Sequence, residues 1–403
     1  MNNLTASSLI SNQISQTINY YRKSSIDEKS STFYIKEEMK NDIIDEPLDK
    51  YKSQVLPLEK ELFECLNLKF GEDIISEDMP LIGKEHDNYY LHLIRTANPD
   101  PNKENFFLIH GFLSSGLHFL CLIPYLIKRY NIFIPDTIGM GLSSRPQKKF
   151  DSPIDCENYF IKVYHIIIKN IFFKGKFNIK KEYYLCGHSL GGFFASRYML
   201  RYLKGIKKAL LLSPAGITDY RIPGTSMTRD INCSLYCATV FCPTLVWPCR
   251  IRVQDFYRCS CCHNFIKKHY EKYYFKIDEN EIKKNPDGSP FKINKEKIEL
   301  ILGKLAVLSL DYPDDLYHCA YSIFGVPPPA AFLPIENILL AKNDIQIIFV
   351  FGEKDWMDRE GSYRLCRFNP NLYKCFTISN SGHSFAMENP KELCSIIRQY
   401  FEE

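Results

Sequence analysis

Short apolar runs alternate with longer amphipathic stretches over much of the chain. YYLHLIR from Tyr89, NFFLIHG, NIFIPD, YYLCGHS and KKALLLSP read as strands, each a brief run of apolar residues bounded by polar ones or glycine. Between them, residues 117–129, 156–171 and 192–203 carry apolar positions at helical spacing. The alternation then stops, between about residues 217 and 340, where cysteines, aromatics and the polar stretch ENEIKKNPDGSPFKINKEK take over. It resumes with IQIIFVFG, a helix candidate, YKCFTIS and a last helix over 390–400. Strands too apolar to face water, separated by helices, predict a mostly parallel sheet covered by helices on both faces. Because the pattern resumes after the break, the expected organisation is one α/β core, residues 85–216 and 341–403, with a cap at 217–340 inserted after the sixth strand. Residues 1–84 read as an N-terminal arm, partly disordered and helical near 59–67.

Composition narrows the class of partner. Across 403 residues, 51 Lys and Arg against 47 Asp and Glu leave a net charge of +4, which gives no general reason to bind nucleic acid. The chain holds 15 cysteines, but they are scattered through a length that can build its own core, so reduced thiols are expected instead of a disulfide framework. The first 25 residues offer no basic leader followed by an apolar run, and no segment is a clean spanning helix, so a cytoplasmic location is expected. The nearest approach, residues 231–249, is uncharged but interrupted by Pro243 and Pro248, and could dip into a membrane interface without crossing it.

The strongest chemical signal is Gly187-His188-Ser189-Leu190-Gly191, preceded by the strand YYLC and followed by a helix. A nucleophile on a tight strand-to-helix turn needs small neighbours, because the chain must pass close beneath it. Such a serine also needs a base and an acid to orient that base, and both are expected after the break in this strand order. His383 in NSGHSF follows one late strand and Asp355 in GEKDWMD follows the strand before it, both at carboxyl ends where open α/β sheets place their sites. Asp355 is preferred over its neighbours Glu353 and Asp358 on its spacing from the strand. The oxyanion donors expected are the N–H groups of Leu190 and of Phe112, the latter just beyond the strand FFLIH. His110 reads as an organiser of that loop.

With these residues in place the chain resembles the α/β-hydrolases. The segments HGF, PDTIGMGLSSRP, GHSLGG, LLLSPAGI, GEKDWMD and SGHSFAMENP carry the likeness. SSRP at 143–146, YHC at 317–319 and DWMD at 355–358 place it near the branch of lipid enzymes that includes lysophospholipases, lysophosphatidate acyltransferase-like members and cardiolipin deacylases. The resemblance implies a serine esterase that deacylates phospholipids or lysophospholipids without a cofactor. It also implies two alternatives: acyl transfer to lysophosphatidate, and a lipid-binding scaffold that activates another lipase. Members credited with acyl transfer have Asp five places after the histidine, where this chain has Glu388. Members that have lost hydrolysis have Asn where this chain keeps Ser189.

The cap carries Cys233, Cys237, Cys242, Cys249, Cys259, Cys261, Cys262 and His263, but their spacings match no regular zinc site, so no metal is expected. Beside them Arg250, Arg252, Arg258, Lys267, Lys268 and Lys272 face only Asp255 and Glu271, interleaved with aromatic residues. At about 1 kcal/mol per cation near an anionic leaflet, that excess suits weak, salt-sensitive contact with a membrane or lipid-droplet surface.

Overall fold

In the computed structural model, the described residues are 45–81, 89–219 apart from 113, 147, 149 and 151, then 283–285, 288–289, 291–311, 334–341 and 344–401. Eight strands form a single sheet: β1 (Ile74–Pro80), β2 (Tyr90–Thr96), β3 (Glu104–Ile109), β4 (Tyr130–Pro135), β5 (Tyr183–His188), β6 (Ile206–Leu212), β7 (Ile347–Gly352) and β8 (Tyr373–Ile378). Their spatial order is β1-β2-β4-β3-β5-β6-β7-β8. β2 runs antiparallel to both β1 and β4, and every other neighbouring pair is parallel. The strand and helix alternation read from the sequence is therefore present.

Period-two alternation sends successive strand residues to opposite layers. Phe107, Ile109, Leu185 and Leu211 pack into one core cluster, and Phe106, Leu108, Tyr184, Cys186, Leu210 and Leu212 into the other. Helices α3 (Pro153–Ile168) and α4 (Leu190–Arg201) close the first layer through Phe160, Tyr164, Phe194 and Tyr198. Helices α1 (Asp45–Glu64), α2 (Ile123–Leu126) and α9 (Pro390–Phe401) close the second through Leu62, Phe63, Tyr125, Leu393 and Ile397. The single helix expected over 117–129 is split into a 3-10 turn, Gly116–Phe119, and α2, which begins at Ile123 with Pro124 in its first turn.

The stretch read as an N-terminal arm contributes more than a local helix. α1 spans Asp45–Glu64 instead of 59–67, and β1 adds an edge strand paired along its whole length with β2. Helix α5 (Lys295–Asp311), from the segment between β6 and β7, lies against α1: Ile298, Ile301 and Leu302 share a cluster with Leu62, Phe63 and Leu66, and Lys297 pairs with Glu61 at 2.8 Å. The two ends of that segment come together at the core. Ile335 and Glu336, at the start of α6 (Ile335–Ala341), donate their N–H groups to the Gly216 and Ile217 carbonyls at 2.9 and 3.1 Å. The buried Glu336 carboxylate takes two bonds, at 2.8 and 2.7 Å, from Arg364 in α7 (Glu360–Phe368).

A buried ionic group pins α1 to the sheet. His92 on β2 meets both Glu59 oxygens at 3.2 Å through Nε2 and Asp78 Oδ1 at 3.3 Å through Nδ1. Burial alone would push its pKa down, but the charge of Glu59, the bonds to Asp78 and Glu59, and the more distant Asp136 raise it to about 10. His92 is thus an imidazolium, and its contribution to stability is full below its ordinary value near 6.5 and lost as pH rises through 10. Glu59→Gln should lower the unfolding free energy at pH 7 by about 3–5 kcal/mol, since it strands a buried charge. Denaturant titrations at pH 7 and pH 10 should show the gap between wild type and variant closing at the higher pH. A gap that stays constant would contradict the ionic account.

Candidate functional site

Ser189 sits between β5 and α4 with φ 54° and ψ −118°, in the left-handed region that a non-glycine residue occupies only when its surroundings hold it there. The holding bonds are a Ser189 N–H donated to the Leu212 carbonyl at 2.9 Å, and a Ser189 carbonyl that accepts from Ala215 N–H at 3.0 Å and Phe193 N–H at 3.1 Å. Two glycines make the turn sterically feasible. A Cβ on Gly187 would lie 2.3 Å from the Gly191 carbonyl oxygen, and one on Gly191 would lie 2.2 Å from that of Ile109. The small neighbours expected from the motif are explained by backbone packed on backbone.

His383 and Asp355 are brought together. His383 Nδ1 lies 3.0 Å from Asp355 Oδ1, on the loops that follow β8 and β7. Among the three acids of that stretch, Glu353 instead accepts from the Asn380 N–H at 2.8 Å and Asp358 from the Glu360 N–H at 2.9 Å. The Asp355 side chain is fully buried, while that of His383 is 20% exposed, so the imidazole is the member of the pair that solvent or substrate can reach. Burial raises the Asp355 pKa, but the facing His383 and hydrogen bonds from His383, Ser213 and the Met357 N–H outweigh it, and the carboxyl stays below its ordinary range.

Several residues that shape the site carry no motif of their own. Ser213, at the end of β6 with φ 43°, donates its hydroxyl to Asp355 Oδ2. The Met357 N–H donates to Asp355 Oδ1 at 3.0 Å, and the Trp356 ring packs on His383 with centroids 5.0 Å apart. Glu388, five places after His383, accepts the Gly382 N–H at 2.6 Å and so holds the residue just before His383. Position alone could have flagged Ser213, as a serine at a strand's carboxyl end, but nothing in its neighbours points to an acid across the sheet.

The oxyanion-donor candidates stand on ordered backbone. Leu190 is the first residue of α4, so its N–H is among those at a helix start with no partner inside the helix. Phe112 follows a loop fixed by His110, whose Nδ1–H donates to the Gly111 carbonyl at 2.8 Å and whose Nε2 accepts the Thr137 N–H at 2.8 Å. Those two bonds require a neutral ring, and burial pushes the His110 pKa down accordingly. The SSRP segment is a staple: Ser143 Oγ accepts from His92 N–H and donates to the Asp136 carbonyl, and Ser144 Oγ accepts from Tyr90 N–H. Arg250, Arg252, Arg258, Lys267, Lys268 and Lys272, the cysteines from 233 to 262, and the YHC segment lie outside the described residues.

The profile of the alpha/beta hydrolase fold family matches residues 104–230, the stretch that carries the elbow. A human protein named 1-acylglycerol-3-phosphate O-acyltransferase ABHD5 is 32% identical over 317 residues, 74% of this chain and 77% of that one. The chain belongs to the alpha/beta hydrolase fold family. Yeast Protein ECM18 is 24% identical over 344 residues, 73% of this chain and 70% of its own. Yeast 1-acylglycerol-3-phosphate O-acyltransferase ICT1 is 21% identical over 244 residues, 57% of each chain. Among solved structures, a bacterial membrane phospholipase A superposes with a TM-score of 0.57 at 16% identity, over 88% of this chain and 92% of that one. Carboxylesterase CesB from Bacillus subtilis superposes with 0.54 at 14% identity, over 87% and 98%. These alpha/beta hydrolase relatives thus include lipid-related proteins, and among the described residues no helix is long and apolar enough to cross a membrane.

Proposed function

We propose that the protein is a serine hydrolase that removes an acyl chain from a phospholipid or lysophospholipid through an acyl-enzyme. The observation that carries this reading is the bond between His383 Nδ1 and the buried Asp355 carboxylate, on the same sheet edge as a strained Ser189. With Nδ1 engaged, Nε2 is the nitrogen left to accept the Ser189 hydroxyl proton as Oγ attacks the ester carbonyl carbon. The N–H groups of Phe112 and Leu190 bind the oxyanion of the tetrahedral intermediate. His383 then gives its proton to the departing alkoxide, leaving acyl-Ser189. Water, deprotonated by His383, attacks the acyl carbon in turn, and release of the fatty acid restores the serine. The lipid class rests on the relatives, and a peripheral position on a membrane or lipid droplet follows from a substrate that resides there.

A second reading is favoured by the names of the human and yeast relatives, 1-acylglycerol-3-phosphate O-acyltransferases: the acyl-enzyme is intercepted by the hydroxyl of lysophosphatidate. Both reactions use the same serine and base, so the acceptor decides between them. The protein should be incubated with lysophosphatidylcholine, and separately with acyl-CoA plus lysophosphatidate, and the products resolved by mass spectrometry. Release of free fatty acid that disappears in Ser189→Ala supports hydrolysis, and serine-dependent phosphatidate formation supports transfer. Neither product from the wild type would leave the scaffold role.

A further inference from the structure

The second residue of the G-x-S-x-G elbow is a histidine whose ring turns inward instead of toward solvent. His188 is buried, and its Nε2 lies 2.9 Å from the main-chain carbonyl of His383. A carbonyl only accepts, so Nε2 carries the proton and Nδ1 is bare. That bare nitrogen has no hydrogen-bond partner among the described residues, and a Cβ on Gly111 would stand 3.0 Å from it. One face of the ring stacks on His118, from the turn after β3, with centroids 4.0 Å apart and planes 22° from parallel. The His383 ring stands at 4.6 Å. The titratable groups that face His188 are therefore His118, His383 and, farther off, His110. All three disfavour its protonation, as does burial, and burial pushes His118 down to about 3, so both stacked rings are neutral.

His383 and the residue before it are consequently held at three points. Asp355 holds the His383 ring, Glu388 holds the N–H of the preceding Gly382, and His188 holds the carbonyl of His383 itself. Only the third tether comes from the nucleophile's side, one residue along the chain from Ser189. We infer that His188 is a positioning residue: its Nε2–H registers the His383 main chain against the nucleophile elbow, so that base and serine move as one unit. This rests on the serine hydrolase reading above, because it assigns His188 a task only where His383 acts on Ser189. A tether that fixes the distance between two reacting groups acts on turnover more than on substrate binding, since a displacement of about 1 Å can cost on the order of 100-fold.

The test compares His188→Phe, which keeps a buried aromatic ring without the donor, with His188→Gln, which returns an N–H at a similar reach. With a p-nitrophenyl ester, His188→Phe should lower kcat by about 10- to 100-fold with KM within about twofold. His188→Gln should restore most of the rate. A wild-type kcat in a folded His188→Phe protein would overturn the inference, as would a His188→Gln variant as impaired as the Phe one, which would mark simple ring packing. If His188→Phe does not fold, imidazole 15N spectra of the wild type still decide: an Nε2–H ring at His188 supports the tether, and an Nδ1–H or doubly protonated ring excludes it. Absence of Ser189-dependent turnover in the wild type would instead defeat the hydrolase reading, an outcome separate from the tautomer result.

Discussion

On the serine hydrolase reading, Ser189→Ala should reduce kcat for a p-nitrophenyl ester by about a million-fold, as removal of the nucleophile does in serine hydrolases, and leave the fold intact. Both halves of that expectation come from the elbow. The hydroxyl is the only atom lost, and the left-handed backbone at φ 54° is imposed by bonds from Leu212, Ala215 and Phe193 that do not involve the side chain. Alanine pays a similar conformational cost at that angle, so the thermal unfolding midpoint should stay close to that of the wild type. Steady-state kinetics together with a melting curve check both. Residual activity within about tenfold of the wild type would mean that another group attacks.

Asp355→Asn is expected to have the next largest effect, a fall in kcat of roughly 10²- to 10⁴-fold. Its size depends on what is conserved. Oδ1 of Asp355 accepts from both His383 Nδ1 and the Met357 N–H, while Oδ2 accepts from the Ser213 hydroxyl. An asparagine can keep its oxygen at the first position and turn its NH2 toward Ser213, whose hydroxyl rotates to accept. The His383 tautomer then survives and the charge is what disappears. The imidazolium formed in the transition state loses its partner, and that loss is what lowers kcat. Pairing the change with Ser213→Ala removes the acceptor for that NH2. The double variant should therefore lose more than the two single losses combined, an interaction that a cycle of four proteins measures directly.

Much of this arrangement is legible in the chain, and the parts that are not have physical reasons. Strands buried on both faces read as continuous apolar runs, which is why β3, β5 and β7 stand where LIHG, LCGHS and VFG place them. β1 reads IISEDMP because an edge strand is solvated on one side and ends in proline, a pattern that looks like loop. α1 hides in a polar segment with Pro57 inside it, and the partner of its buried Glu59 is His92 on β2, which only the fold brings near. The elbow and the two strand ends carrying Asp355 and His383 declare themselves because their spacing from strands is local. Ser213, His188 and Glu388 do not, since each acts on a residue brought near only by the fold. The Glu388 bond to the Gly382 N–H engages its carboxylate with the loop that carries His383.

The most direct test of the central claim is covalent labelling of the serine. A fluorophosphonate reacts with a serine hydroxyl only where a base withdraws its proton and an oxyanion site steadies the adduct, so it reports the whole arrangement without a guess about the lipid. Peptide mapping by mass spectrometry after labelling should find the phosphonyl group on Ser189, absent from Ser189→Ala and strongly slowed in His383→Ala. An unlabelled wild-type protein, or an adduct on any other residue, would contradict the assignment of Ser189 as nucleophile.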